Sequence, residues 1–300
     1  MQPLKVIVFQ GVQNLPNMAA ETQGFFTQRG LAVETIFTKG SDQMRDGLAR
    51  GDYDIAHGAV DNAVAMVEVA KENVFIFCGL DQGFNKLVVR PEISSYQDLR
   101  GKTFGVDAPD TAFALIAYDM LKRKGLKRGD YLVQPIGATR FRLEALKEGK
   151  IDFAMLNLPF NIFAQGAGLK ILDDPANVIG AYQSAGGFAR RDWAAANRDV
   201  LIQYVAAYIE GVRWALDPRN RKAAALLMRD KMQLDAAVVE QCLDQMLDER
   251  TGFATDAKLN RDGMATLLSL RAKFTGAAAM PASRYVDEAI YREALTVLAR

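Results

Sequence analysis

The sequence predicts an α/β protein of two lobes, each with a mostly parallel central sheet, joined by crossing strands and followed by a helical C-terminal tail. Three observations predict it. Over the first 180 residues, short runs rich in Val, Ile and Phe alternate with helical patterns, and strands separated by helices form parallel sheets covered on both faces. The alternation runs through two similar cycles, whose short helices end at Arg50-Gly51-Asp52-Tyr53-Asp54-Ile55 and Glu148-Gly149-Lys150-Ile151-Asp152-Phe153. After about Arg190 strand patterns stop and helical periodicity takes over.

In the first cycle, Leu4 to Phe9 reads as a buried strand and Pro16 to Gln28 as a helix, with Gly30 in the left-handed closing position. Leu31 to Phe37 is the second strand. Ser41 is a good N-cap for a helix through Ala49, closed by Gly51. Tyr53 to Ala56, Val74 to Cys78 and Lys86 to Val89 are strands, and Asp61 to Lys71 is helical. The second cycle has strands at Thr103–Val106, Tyr131–Gln134 and Ile151–Leu156, with helices at Thr111–Lys124 and Thr139–Glu148. Helical patterns follow at Asn197–Leu216, Arg219–Met232, Leu234–Leu247 and Ala257–Phe274, with Asp217-Pro218 breaking the first from the second. This tail is expected to pack on the first lobe. The lobes are drawn as residues 1–85 with 186–300, and residues 86–185, with hinges near Leu80–Phe84 and Ala181–Gly187.

Composition narrows the function. The chain has 300 residues, 37 basic and 36 acidic, for a net charge of +1, so no single-sign field drives nucleic-acid binding and no nucleic-acid partner is expected. Cys78 and Cys242 are read as buried thiols rather than a disulfide. One histidine and two distant cysteines build no usual transition-metal shell, and no phosphate loop, dinucleotide fingerprint or nucleophile elbow appears. No catalytic residue, metal or cofactor is therefore assigned. No run of 18 apolar residues suggests a membrane span. The start goes straight into a strand pattern without a leader, so the expected compartment is the periplasm if a signal peptide has been removed, and otherwise the cytoplasm. A monomer is expected.

Ligands of open parallel sheets bind beyond the carboxyl ends of the strands. That rule selects Gln10, Gly11, Gln13 and Asn14 after the first strand, Lys39, Gly40 and Ser41 after the second, and His57, Gly58 and Asn62 after the third. From the second lobe it selects the Asp107–Thr111 loop, with Asp110, Thr111 and Ala112 as the candidates, then Thr139 and Arg140, and Asn157. Such residues bring backbone N–H groups close to a ligand, and helix N-termini favour anions. His57 has the titration range of a base, or is a hydrogen-bonding neighbour of the site. Arg140 is a bidentate partner for a carboxylate or sulfonate, or a surface arginine. Phe84, Phe160 and Tyr182 cover an apolar part of a ligand, or pack in the core. Asp52 and Asp54 flank a strand start, away from the ligand side.

Four segments, in order, resemble a known family: Met18 to Val33 with Gly24-Phe25-Phe26, Gly47 to Ala56, Leu99 to Val106, and Ala145 to Ala154 followed by Pro159-Phe160. They are similar to the type 2 periplasmic binding proteins of the alkanesulfonate, taurine and nitrate ABC importers, a group shared with the thiamine-pyrimidine synthesis family. The resemblance spans residues 4–230. It implies a solute-binding protein that captures a small organic anion (a sulfonate, carboxylate or aromatic acid) in an interlobe cleft and, when secreted, delivers it to an ABC importer permease. The alternative is a cytoplasmic enzyme or ligand sensor on the same fold, of the decarboxylase or thiamine-pyrimidine-precursor type. Two departures stand out. Leu158 replaces a Glu frequent before the Pro-Phe of the fourth segment, which leaves the site less acidic. The cysteine cluster of the thiamine-pyrimidine synthases is missing, and Gly58 and Asn62 fall roughly where those proteins carry a Lys and a His.

Overall fold

A computed structural model describes residues 1–299. Its strands are β1 (Gln2–Val8), β2 (Leu31–Phe37), β3 (Ile55–Ala59), β4 (Val74–Gly79), β5 (Lys86–Val89), β6 (Thr103–Val106), β7 (Leu132–Pro135), β8 (Phe153–Leu156), β9 (Lys170–Asp173) and β10 (Ala185–Arg190). They form two five-stranded sheets, ordered β2-β1-β3-β10-β4 and β7-β6-β8-β5-β9. In the first, β1 runs parallel to β2 and β3, while β10 is antiparallel to β3 and β4. In the second, β6 runs parallel to β7 and β8, while β5 is antiparallel to β8 and β9. Each sheet thus takes one reversed strand, the one that follows a passage of the chain between sheets.

The helices of the two cycles are α1 (Leu15–Thr22), α2 (Phe25–Gln28), α3 (Ser41–Arg50), α4 (Asp61–Ala65), α5 (Ala112–Arg123), α6 (Thr139–Lys147), α7 (Phe160–Gly166) and α8 (Pro175–Val178). The expected single helix over 16–28 is two, because Gly24 takes φ 76° and breaks it. The tail contains α9 (Arg191–Ala196), α10 (Arg198–Leu216), α11 (Arg221–Met232), α12 (Ala236–Met246), α13 (Arg261–Thr275) and α14 (Ala289–Leu298). Most of the inward face of α10, including Leu201, Tyr204, Val205, Tyr208 and Val212, is fully buried against the first sheet, with α1 and α14 beside it. The open edge of β4 is closed by the segment before α14, where Ile76 N–H donates to Tyr285 O at 2.8 Å and Asp287 N–H to Ile76 O at 3.0 Å, which removes a free strand edge.

One tail helix departs from the expectation. α13 lies against α5 of the second lobe, with Phe274 stacked on Tyr118 at 6.1 Å and Lys273 3.3 Å from Asp119. It is also fastened to the first lobe, since Arg271 donates to Asp61 Oδ1 at 2.7 Å in a pair almost wholly removed from water. The second guanidinium nitrogen of Arg271 reaches the backbone oxygen of Asp110 at 2.6 Å. Breaking such a buried pair by truncating one partner costs about 3–5 kcal/mol.

Candidate functional site

The chain passes from the first sheet to the second through residues 80–85 and returns immediately before β10. Ser184 N–H donates to Asp81 O at 3.0 Å, so the two passages are stitched to each other. Beyond their start the carboxyl ends of β1, β3, β6 and β8 face one another around a cavity of about 50 Å³. That is room for a few waters, at roughly 10–15 Å³ each.

Of the residues selected from the sequence, Gln13, Ser41, Gly58, Asn62, Thr111, Ala112, Thr139 and Asn157 line this cavity. The others do not. Asn14 is buried and its amide donates to Phe9 O at 2.6 Å and Gly11 O at 3.1 Å, holding the loop that Gly11 belongs to. Gln10 and Arg140 meet at the rim, 3.5 Å apart, with the Arg140 guanidinium 4.4 Å from the Phe141 ring. Lys39 is exposed, and its backbone oxygen accepts from Ala138 N–H at 3.1 Å across the cleft, beside Gly40. Asp110 is paired with Arg45 at 3.2 Å. Tyr182 is buried in the core near Asp61 and Arg271, and Phe160 packs against Phe163. Phe84 does line the cavity, braced edge-on by Phe253.

His57 is turned through the sheet away from the cavity. Its ring lies 4.4 Å from that of Tyr208 under α10, and neither ring nitrogen has a partner among the described residues. Alternation along β3 explains this, since neighbouring residues point to opposite faces and Gly58 takes the cavity side. Burial holds the imidazole neutral, with its pKa down at about 3. Both cysteines are free and buried, and burial pushes each thiol up to about 12. The cavity lining contains neither histidine nor cysteine.

Five polar lining residues were not among the candidates named from the sequence: Asp81, Asn85, Asp107, Arg142 and Ser184, of which Asp107 lies in a selected loop. Arg142 is 2 % exposed and makes no ion pair among the described residues. Its guanidinium donates to Thr139 Oγ1 at 2.9 Å and to the backbone oxygens of Met155 and Gly137. Burial lowers its pKa to about 10, opposed by Asp107, so it stays cationic at neutral pH. Helical spacing was the available signal, because Arg142 sits three residues from Thr139 on the inward face and Arg140 falls on the outward one. Two of these residues, Asp81 and Asp107, are acidic. Asp81 is 3 % exposed and burial raises it to about 7, against donation from Ser184, Gly83 and Ala185.

Three helices of at least nine residues begin on this cavity with no side-chain cap: α3 at Ser41, α5 at Ala112 and α6 at Thr139. Each leaves backbone N–H groups unpaired and a partial positive charge at its start. The α3 start is filled from the opposite lobe. Asp107 accepts from Ser41 Oγ at 2.5 Å and from Ser41 N–H at 3.1 Å. Among the described residues, the starts of α5 and α6 have no such carboxylate. Thr111, at the α5 cap position, spends its hydroxyl on Ala108 O at 2.8 Å.

Two sheet-based lobes around a shared cleft define a protein of the periplasmic-binding-protein fold. Residues 12–221 match the family described as NMT1/THI5 like, and the chain belongs to that family. Solved structures agree in fold. A protein of Bordetella bronchiseptica RB50 superimposes with TM-score 0.85 at 19% identity, covering 100% of this chain and 99% of its own. The periplasmic nitrate-binding protein NrtA of Synechocystis PCC 6803 gives 0.83 at 12% identity, over 99% and 89%. The periplasmic aliphatic sulphonate binding protein SsuA of Escherichia coli gives 0.74 at 16%, over 97% and 99%. No curated protein sequence matches the chain significantly.

Proposed function

We propose that this chain is the solute-binding component of an ABC importer and that it encloses a small organic anion between its lobes. The observation that carries the reading is the pair of uncapped starts of α5 and α6 beside the buried, unpaired guanidinium of Arg142. Helix N-termini bind anions through their free N–H groups, and a nearby cation adds to the same field. The ligand's carboxylate or sulfonate sits against Ala112 and Thr139, and its apolar part lies against Phe9, Phe84 and Phe113. The loops, Gln13 and Asn157 among them, supply its remaining polar contacts.

Transport supports the reading through the company the fold keeps, since NrtA and SsuA are named as periplasmic nitrate- and sulphonate-binding proteins. Such a protein works in the periplasm and hands its cargo to a membrane permease. Affinity comes from closure, which removes water from the polar contacts, and the residues 80–85 and 179–184 that link the sheets serve as its hinges. Calorimetric titration with a panel of carboxylates, sulfonates and aromatic acids tests the proposal. Saturable binding by at least one anion, abolished when Ala112→Glu puts a carboxylate at the α5 start, is the expected result. Silence across the panel, or a preference for cations, overturns it.

A further inference from the structure

A second concavity lies on the outer side of the second lobe, where α5 meets α13 and the turn ahead of β7. Its free volume is about 400 Å³, well above that of the cleft. Its wall is aromatic. Tyr118 stacks on Phe274 at 6.1 Å and on Tyr131 at 6.5 Å, and Phe274 is 40 % exposed. Cations surround these rings. Lys122, Lys127, Arg128 and Lys273 line the groove, against one carboxylate, Asp119.

That carboxylate is already taken, by Arg123 at 2.7 Å and by Lys273 at 3.3 Å. Among the described residues, Lys122, Lys127 and Arg128 make no ion pair, and the nearby Asp130 is held by Arg100 at 3.0 Å. The Arg128 guanidinium lies 4.1 Å over the Tyr118 ring. A guanidinium stacked by its face keeps its N–H edge free for a planar or tetrahedral oxyanion. The Tyr118 hydroxyl is buried and has no hydrogen-bond partner among the described residues, and burial raises its pKa, so it remains a donor.

Three unpaired like charges around one concavity repel one another, and an anion seated among them relieves that repulsion. Exposed Phe274 gives the same concavity an apolar wall that water serves poorly. We propose that this groove is a second ligand site, separate from the cleft, which takes an amphipathic anion whose flat apolar body rests on Phe274 and Tyr118 and whose oxyanion pairs with Arg128 and Lys122. The site rests on none of the cleft residues.

Calorimetric titration of the full chain with 2-naphthoate tests it, with each site read while the other is disabled. In the Ala112→Glu protein, whose cleft is blocked, one binding event should remain and should weaken with added salt. Arg128→Glu in that background should lower its affinity at least tenfold, with melting temperature and far-UV circular dichroism unchanged. Lys122→Glu provides the same readout on an exposed side chain should Arg128→Glu fail to fold. Absence of binding in the Ala112→Glu protein up to millimolar 2-naphthoate, or an affinity indifferent to both charge reversals, overturns the proposal. Cleft binding measured in the Arg128→Glu protein reports on the importer reading independently.

Discussion

The cleft has an acid side and a donor side, and they use the same backbone device for opposite ends. On the acid side, Asp107 reaches across the cleft to cap α3, and Asp81 stands buried where the chain passes between lobes. On the donor side, α5 and α6 begin uncapped beside Arg142. A helix start satisfied by the protein's own carboxylate fastens the lobes together, whereas one left unsatisfied is free to bind something else. The difference teaches that a helix N-terminus is a ligand site only once the side chains facing it from every element are known.

The largest expected effect concerns Asp81. Its pKa is about 7 in the folded protein, raised from an ordinary value near 4, so the folded state holds a proton that the unfolded chain has released. Its stabilising contribution is fully present below about pH 4 and is lost as pH rises to about 7, at about 1.4 kcal/mol per pH unit. Urea unfolding of wild type and Asp81→Asn across pH 4–8 should show that slope in the first and its loss in the second. Equal slopes would place an ionised Asp81 in the folded state and strip the acid side of its buried proton.

On the donor side, Ala112→Glu should weaken binding of the cognate anion by about a hundredfold or more, because it supplies α5 with a carboxylate of its own. Unchanged affinity would move the anion elsewhere. Ser41→Ala removes the hydroxyl from the Asp107 latch. A hydrogen bond to a charged group contributes about 1.5–3 kcal/mol, so the closed-to-open ratio should fall at least about tenfold, read by energy transfer between dyes on the two lobes. Arg140→Ala, at the solvated rim, should change affinity less than twofold. A large loss there would show that the anion docks at the rim and not at the helix starts.

The two sheets and most of the strands and helices of both cycles were legible in the sequence because apolar periodicity marks them directly. β5 and β6 fall on the expected residues, and β2 does so as well. β10 was not legible, since Phe188 is the one branched or aromatic residue among its six and cannot by itself signal a strand. Its glycines are there for closeness, because a Cβ on Gly186 would lie 2.3 Å from Cys78 O and one on Gly187 2.4 Å from the Phe77 ring. Short α7, β9, α8 and the late α14 were missed as well.

Strand-end loops located the cavity but did not separate its lining from its supports. Asn14 and Asp110 have the composition of ligand residues and spend it on backbone and on Arg45. Asp107 lay in a loop selected from the sequence, but only the opposing lobe shows that it, rather than Asp110, faces the cavity. Asp81 lay inside a segment read as a hinge, where nothing local reveals that its carboxyl points inward. Ser41, expected as a cap of its own helix, instead lends its hydroxyl to the other lobe.

The course of α13 bears on how far the molecule can bend. Two covalent passages alone would let one lobe both swing and twist relative to the other. Arg271, gripping Asp61 on one side and the Asp110 backbone on the other, adds a third point of attachment off the line of the first two. Small excursions are thereby confined, and a wide gape requires that one grip be released first, which gives the motion a threshold rather than a continuous range.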